Sequence, residues 1–224
     1  DPLGEATTRP NPPVDEGAAH SLLVTLRAAS GELFPSRESE RGSYSLRSLF
    51  GGLHEIPDGL RLEATLERAS ASALGGDFTF TRLTASLRGR QALGAGLRAD
   101  SRALAVLGDS GLPSQKRLTL SGQGLLRGYP EGLYRSNDAL LLTGELSWAA
   151  VGPWPRLLAF YDGGQGWELD GAAGTTSGWR QDAGLGLRWP PDAGAFFLRV
   201  ELARPLGDEA ETSWRTLWRL QVPF

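Results

Sequence analysis

The sequence predicts an all-β chain, an antiparallel transmembrane β-barrel of about nine or ten strands, reduced or partial. Three observations carry this. Thirty glycines, 14 prolines and 7 tryptophans among 224 residues suit many short strands joined by turns, since glycine and proline punctuate a chain and aromatics favour a pleated surface. Runs with apolar residues at every other position, and charges between them, recur along the chain. These runs are about 10 to 12 residues long, carry tryptophan and tyrosine near their ends, and alternate short with long connections.

The first run, His20 to Ala28, sets Leu22, Val24 and Leu26 against Leu23, Thr25 and Arg27. A charged, serine-rich stretch follows, within which Ser43 to Leu49 reads as a further short strand or a flap. From Gly59, Leu60, Leu62, Ala64 and Leu66 oppose Arg61, Glu63, Thr65 and Glu67. After a turn at Gly75-Gly76-Asp77, Phe78 to Arg90 changes parity between Phe80 and Leu83, which predicts a bulge near Thr81-Arg82. The next run places Leu93, Ala95, Leu97 and Ala99 opposite Arg98, Asp100 and Arg102, and ends at Gly108-Asp109-Ser110-Gly111.

A glycine-rich segment, Leu120 to Tyr129, then reads as a loop that places Arg127. Five strands follow it. Ala139 to Ala150 opposes Leu140, Leu142, Leu146 and Trp148 to Thr143, Glu145 and Ser147, and Arg156 to Trp167 comes next. Gly178 to Trp189 is followed by a short proline turn and by Phe196 to Leu202, with Arg199 and Glu201 on its polar face. In the last run Trp214, Trp218, Leu220, Val222 and Phe224 oppose Arg215, Arg219 and Gln221. Residues 1–17, with no apolar period, form an extended lead-in, and 18–224 form the barrel domain.

Composition narrows the function. Forty per cent apolar and 22% charged residues are ordinary for a folded chain. A formal charge of −3, with Lys116 the single lysine, excludes a polybasic nucleic-acid binder. There is no cysteine, hence no disulfide framework and no thiolate metal site. A start at Asp1 without any methionine points to a processed or trimmed N-terminus. No apolar run reaches the roughly 18 residues of a membrane helix, so a bilayer-spanning form must be a barrel, which alone among sheets satisfies its backbone in lipid. Alternation by itself also fits a soluble ligand-binding barrel with the apolar face inside. Strand length, aromatic ends and loop alternation favour the inverted arrangement, with apolar residues facing lipid.

From about Ser121 to Phe224 the chain resembles the C-terminal barrel half of the BamA/TamA and two-partner-secretion superfamily of outer-membrane proteins. The resemblance rests on four parts in order: Leu126-Arg127-Gly128-Tyr129; Gly144-Glu145-Leu146; Phe160-Tyr161-Asp162-Gly163-Gly164-Gln165-Gly166-Trp167; and Gly184 to Trp189 followed by Leu198 to Leu206 and a terminal Phe224. It implies that the loop 109–137, with the motif residues Gly128 and Tyr129, folds back into the lumen and that its Arg127 pairs with Glu145 and Asp162. It also implies that Trp218, Leu220 and Phe224 form a C-terminal signal read by assembly machinery, from which Pro223 departs because proline lacks a ladder N–H.

Function and location follow as implications of the same resemblance: an integral outer-membrane barrel that inserts or translocates proteins, or lipids, without cofactor or chemical catalysis. Its partners would be membrane lipid and client or cargo proteins. The family normally has 16 strands preceded by POTRA domains; another chain, or an N-terminal region, would complete the barrel and supply them. Catalytic alternatives are weaker. Gly108-Asp109-Ser110-Gly111 resembles a serine-protease nucleophile motif, yet His20 and His54 lack the matching context. A barrel enzyme acting on lipid or ester substrates would have to draw on Glu63, Glu67, Arg98, Asp100 and Arg102, charges that a lumen carries anyway.

Overall fold

The computed structural model describes residues 15–30, 58–122, 125–149, 154–167, 178–190, 197–207 and 213–221. The Ser43 to Leu49 flap, His54, Pro223 and Phe224 lie outside these. Nine strands form one antiparallel sheet: β1 (Ser21–Ala29), β2 (Gly59–Ala69), β3 (Phe80–Gly94), β4 (Leu97–Gly108), then β7 (Asp138–Trp148), β8 (Arg156–Trp167), β9 (Arg180–Trp189), β10 (Phe197–Leu206) and β11 (Arg215–Gln221). Each pairs with its neighbour in sequence order, the up-and-down pattern of a barrel wall. Two short strands in the loop between β4 and β7, β5 (Leu118–Thr119) and β6 (Arg135–Ser136), pair separately. Among the described residues β1 and β11 do not pair, so the sheet is open.

One face of the sheet is polar and covered, the other apolar and bare. On β10, Phe197, Arg199, Glu201 and Ala203 are buried while Leu198, Val200 and Leu202 are exposed. On β3, Arg82, Thr84, Ser86 and Arg90 are buried while Leu83 and Leu87 are exposed. A soluble sheet buries its leucines; this one turns them out, the sense expected where lipid is the outer solvent.

The sheet curls around its polar face. Flat, β7 and β10 would lie about 14 Å apart across three strand spacings, yet Arg199 of β10 donates to Glu145 of β7 at 2.6 Å. Residues 109–122 and 125–137 occupy the concavity. Leu118, Leu120, Leu125, Leu126 and Tyr129 pack with Leu104 and Val106 of β4 and Ala139 and Leu141 of β7. The inner face is therefore apolar under the loop's shoulder and charged further along the strands.

Three local features differ from the sequence reading. The parity change at Phe80 involves no bulge: β2 and β3 stay in continuous register from Gly59↔Arg90 to Ala69↔Phe80. Phe80 instead points inward with Arg82 and is capped by the Lys116 ammonium 5.2 Å from its ring centre, so an apolar side chain sits on the polar face. The irregularity lies at Ala92/Gly94. Here the alternation of Leu93, Ala95, Leu97 and Ala99 runs through a hairpin tip rather than one strand. Gly94, Ala95 and Gly96 have φ of 89°, 49° and 78°, left-handed conformations that reverse the chain. Finally, Ser70 caps a single helical turn, α1 (Ala71–Leu74), by accepting from the Ala73 N–H, and Gly75 ends it at φ 74°.

Candidate functional site

The loop is built from its own turns before it meets the wall. Asp109 accepts from the Thr81 N–H at 2.7 Å and the Gly111 N–H at 3.1 Å, so Gly108-Asp109-Ser110-Gly111 is a carboxylate-stapled turn. His20 sits elsewhere, against the Leu74 carbonyl at 3.0 Å. Ser121 Oγ accepts from the Leu133 and Tyr134 N–H groups at 2.9 and 3.3 Å. The Leu120 N–H donates to Tyr134 O, and the Leu126 N–H to Leu120 O. These bonds hold residues 118–122 against 125–134, with Arg127 at a turn.

Arg127 is 4% exposed. Its Nε and Nη2 donate to Asp162 Oδ2 and Oδ1 at 2.6 and 2.9 Å, a bidentate fork on β8. Nη1 donates to Glu201 Oε1 on β10 at 2.6 Å and reaches Glu145 Oε2 on β7 at 3.4 Å. The guanidinium carbon lies 3.4 Å from the centre of the Phe160 ring, so its open face rests on an aromatic plane. Arg199 completes the cluster, donating to both oxygens of Glu145 at 3.2 and 2.6 Å and to Glu201 at 2.5 Å. Two guanidiniums thus meet three carboxylates from three strands. Burial alone would lower the Arg127 pKa; the charge and hydrogen bonds of Asp162, then Glu201 and Glu145, outweigh it and hold the pKa above its ordinary value. The loop therefore stays cationic at its tip.

The neighbours of Arg127 explain the motif around it. A Cβ on Gly128 would come within 2.7 Å of Asp182 Cβ and 2.8 Å of the Pro205 N, so only glycine lets the backbone lie against β9 and β10. Tyr129 is buried, its hydroxyl donating to Gln181 O at 3.3 Å, and it meets Tyr134 edge-on at 5.6 Å. Arg180 covers the Tyr134 ring at 4.0 Å. The loop's other end is held by Lys116, which pairs with Glu67 of β2, and by Asp15. Asp15 Oδ2 accepts from the Ser114 N–H at 2.7 Å, and its carbonyl accepts from Gln115 at 3.1 Å.

The structure brings Arg127, Glu145, Asp162, Gly128 and Tyr129 together. Trp218 and Leu220 lie apart, on the outer face of β11 and 68% and 51% exposed. Sequence reasoning passed over Arg199 and Glu201 as site residues. Their signal was present: both fall on the polar parity of β10, the parity that carries Glu145 on β7. The charges considered for an enzyme are spread among separate pairs: Glu63 with Arg27 and Arg61, Glu67 with Lys116, and Asp100 with Arg90 at 2.6 Å.

A curled antiparallel sheet with its leucines outside, its charges inside and a long loop latched across the concavity by an arginine is a membrane-barrel type of fold. The description "Omp85 superfamily domain" matches residues 57–217, well over half of the chain, and the protein belongs to the Omp85 superfamily. That is a family of outer-membrane assembly and translocation proteins, whose members act as transporters or assembly factors and not as catalysts. No curated protein matches the chain.

Proposed function

We propose that this protein is an integral outer-membrane barrel component that inserts or translocates proteins, or lipids, without chemical catalysis. The observation that carries this is the latch: one loop arginine gripping carboxylates of β7, β8 and β10 from within the sheet. Such a cluster is a poor source of net stability but a good device for selecting one loop conformation, because removing one partner strands the others. A loop so held keeps the lumen shaped and closed until a client or a partner chain moves it. Membrane lipid would cover the leucine-rich outer face, and a further chain or segment would complete the wall, its POTRA-type domains meeting the clients.

Two experiments test the reading. Fractionation should leave the protein in the detergent-soluble envelope with heat-modifiable gel mobility; a detergent-free soluble monomer would refute the membrane placement. In cells that depend on the protein, Arg127→Ala should lower the amount of folded outer-membrane barrels or of exported cargo while the variant still reaches the envelope. Unchanged assembly and export in Arg127→Ala and in Asp162→Asn would remove the latch from the function.

A further inference from the structure

We propose that the inner face near the β3–β4 turn holds a binding site for a phosphate-type oxyanion, built on a ladder of arginines from β8 to β11 and centred on Arg188. The register sets Arg156 directly opposite Arg188, Arg188 opposite Arg199, and Arg199 opposite Arg219. Directly opposed residues have Cα atoms about 4.5–5.5 Å apart, and like charges so placed repel. Four guanidiniums in a lateral row therefore need anions beside them.

The ion pairs seen in the row converge on Arg199. Arg199 is taken by Glu145 and Glu201. Arg156 reaches Ser147 Oγ at 3.2 Å and the Gly96 carbonyl at 3.5 Å. Arg188 is 2% exposed, packs on the Phe197 ring at 4.7 Å and has an Nε with no hydrogen-bond partner among the described residues. The charged groups whose fields act on it most are Arg199, Arg156, Arg90 and Arg98, all cations. Asp100, on the same side, is engaged by Arg90 at 2.6 Å. A buried guanidinium donor left unmet is costly, and the fork geometry of several arginines suits the oxygens of a phosphate. The ligand class is a phosphate-type oxyanion, either a soluble inorganic or organic phosphate or a phospholipid headgroup. The site shares Arg199 with the latch cluster, is centred one strand away on Arg188, and stands whether or not the chain handles protein cargo.

The test uses the full chain folded in nonionic detergent. Calorimetric titration is run with inorganic pyrophosphate and, separately, with micelles carrying phosphatidic acid, diacylglycerol being the phosphate-free control. Saturable binding from either source, weakened about tenfold in Arg188→Gln and partly kept in Arg188→Lys, is the expected result; the source that binds identifies the ligand. Absence of saturable binding from both, or equal binding by wild type and Arg188→Gln, overturns the site. Heat-modifiability guards against misfolding. Without phosphate Arg188→Gln should be at least as heat-resistant as wild type and should lose the gain that phosphate confers. A lower phosphate-free midpoint with the gain intact would make Arg188 a structural residue and refute the proposal.

Discussion

Arg127 donates to three carboxylates and stacks on Phe160, so its removal leaves Asp162, Glu145 and Glu201 buried with Arg199 as the cluster's remaining cation. Arg127→Ala should cost about 3–5 kcal/mol, read as a lower urea or temperature midpoint for loss of the compact, heat-modifiable form. Arg127→Lys should recover little, since a point charge cannot fork onto Asp162, reach Glu201 and lie flat on the ring together. A charge swap discriminates between partners. Arg127→Glu with Asp162→Arg should restore part of the stability, because Asp162 takes both the Nε and Nη2 bonds. The same swap with Glu145→Arg should fail, because position 145 already receives Arg199. Equal rescue by the two swaps would contradict this geometry. Gly128→Val would drive a side chain into Asp182 and Pro205 and should unseat the loop at a cost of about 1–3 kcal/mol.

At the scale of elements, the loop 109–137 contributes a hydrophobic plug as well as a charge. Leu126 is 1% exposed among Leu104, Val106 and Leu141. Leu126→Ala should cost about 2–5 kcal/mol and make the loop cleavable by a protease at concentrations that spare the wild type; equal resistance would show that the loop is held by its ions alone. The strands themselves could be read from alternation, because each has one polar and one apolar face and period two survives any tertiary context. The β3–β4 hairpin could not. Leu93, Ala95, Leu97 and Ala99 keep perfect alternation across a turn whose residues Gly94, Ala95 and Gly96 take positive φ. Phe80 misled for a different reason. Parity reports the polarity of a face, and this face turns apolar where Lys116 and the loop cover it.

At the scale of the whole molecule, the inverted faces make a direct prediction about the solvent. Leu185 stands 62% exposed in the middle of β9. In a bilayer Leu185→Arg should destabilise the folded form by about 2–4 kcal/mol near mid-depth. On a protein whose outer face meets water, the change should stay within about 0.5 kcal/mol. Folding titrations of both chains into lipid vesicles distinguish the two. Among the described residues the open wall between β1 and β11 also leaves ladder groups to be paired, which gives the protein a reason to meet further strands.

By itself the sequence determined the β class, the alternating faces of most strands, and the arginine-glycine-tyrosine loop, because these depend on local periodicity and turn chemistry. The tertiary structure alone decided that Glu201 joins Asp162 as a close partner of Arg127, that Arg199 shares Glu145 and Glu201, and that Asp15 and Lys116 pin the loop's other end. It also decided that four arginines from separate strands stand side by side. Those relations join residues as many as 100 positions apart, and they come into being only when the sheet curls and sets the register of each strand against the next.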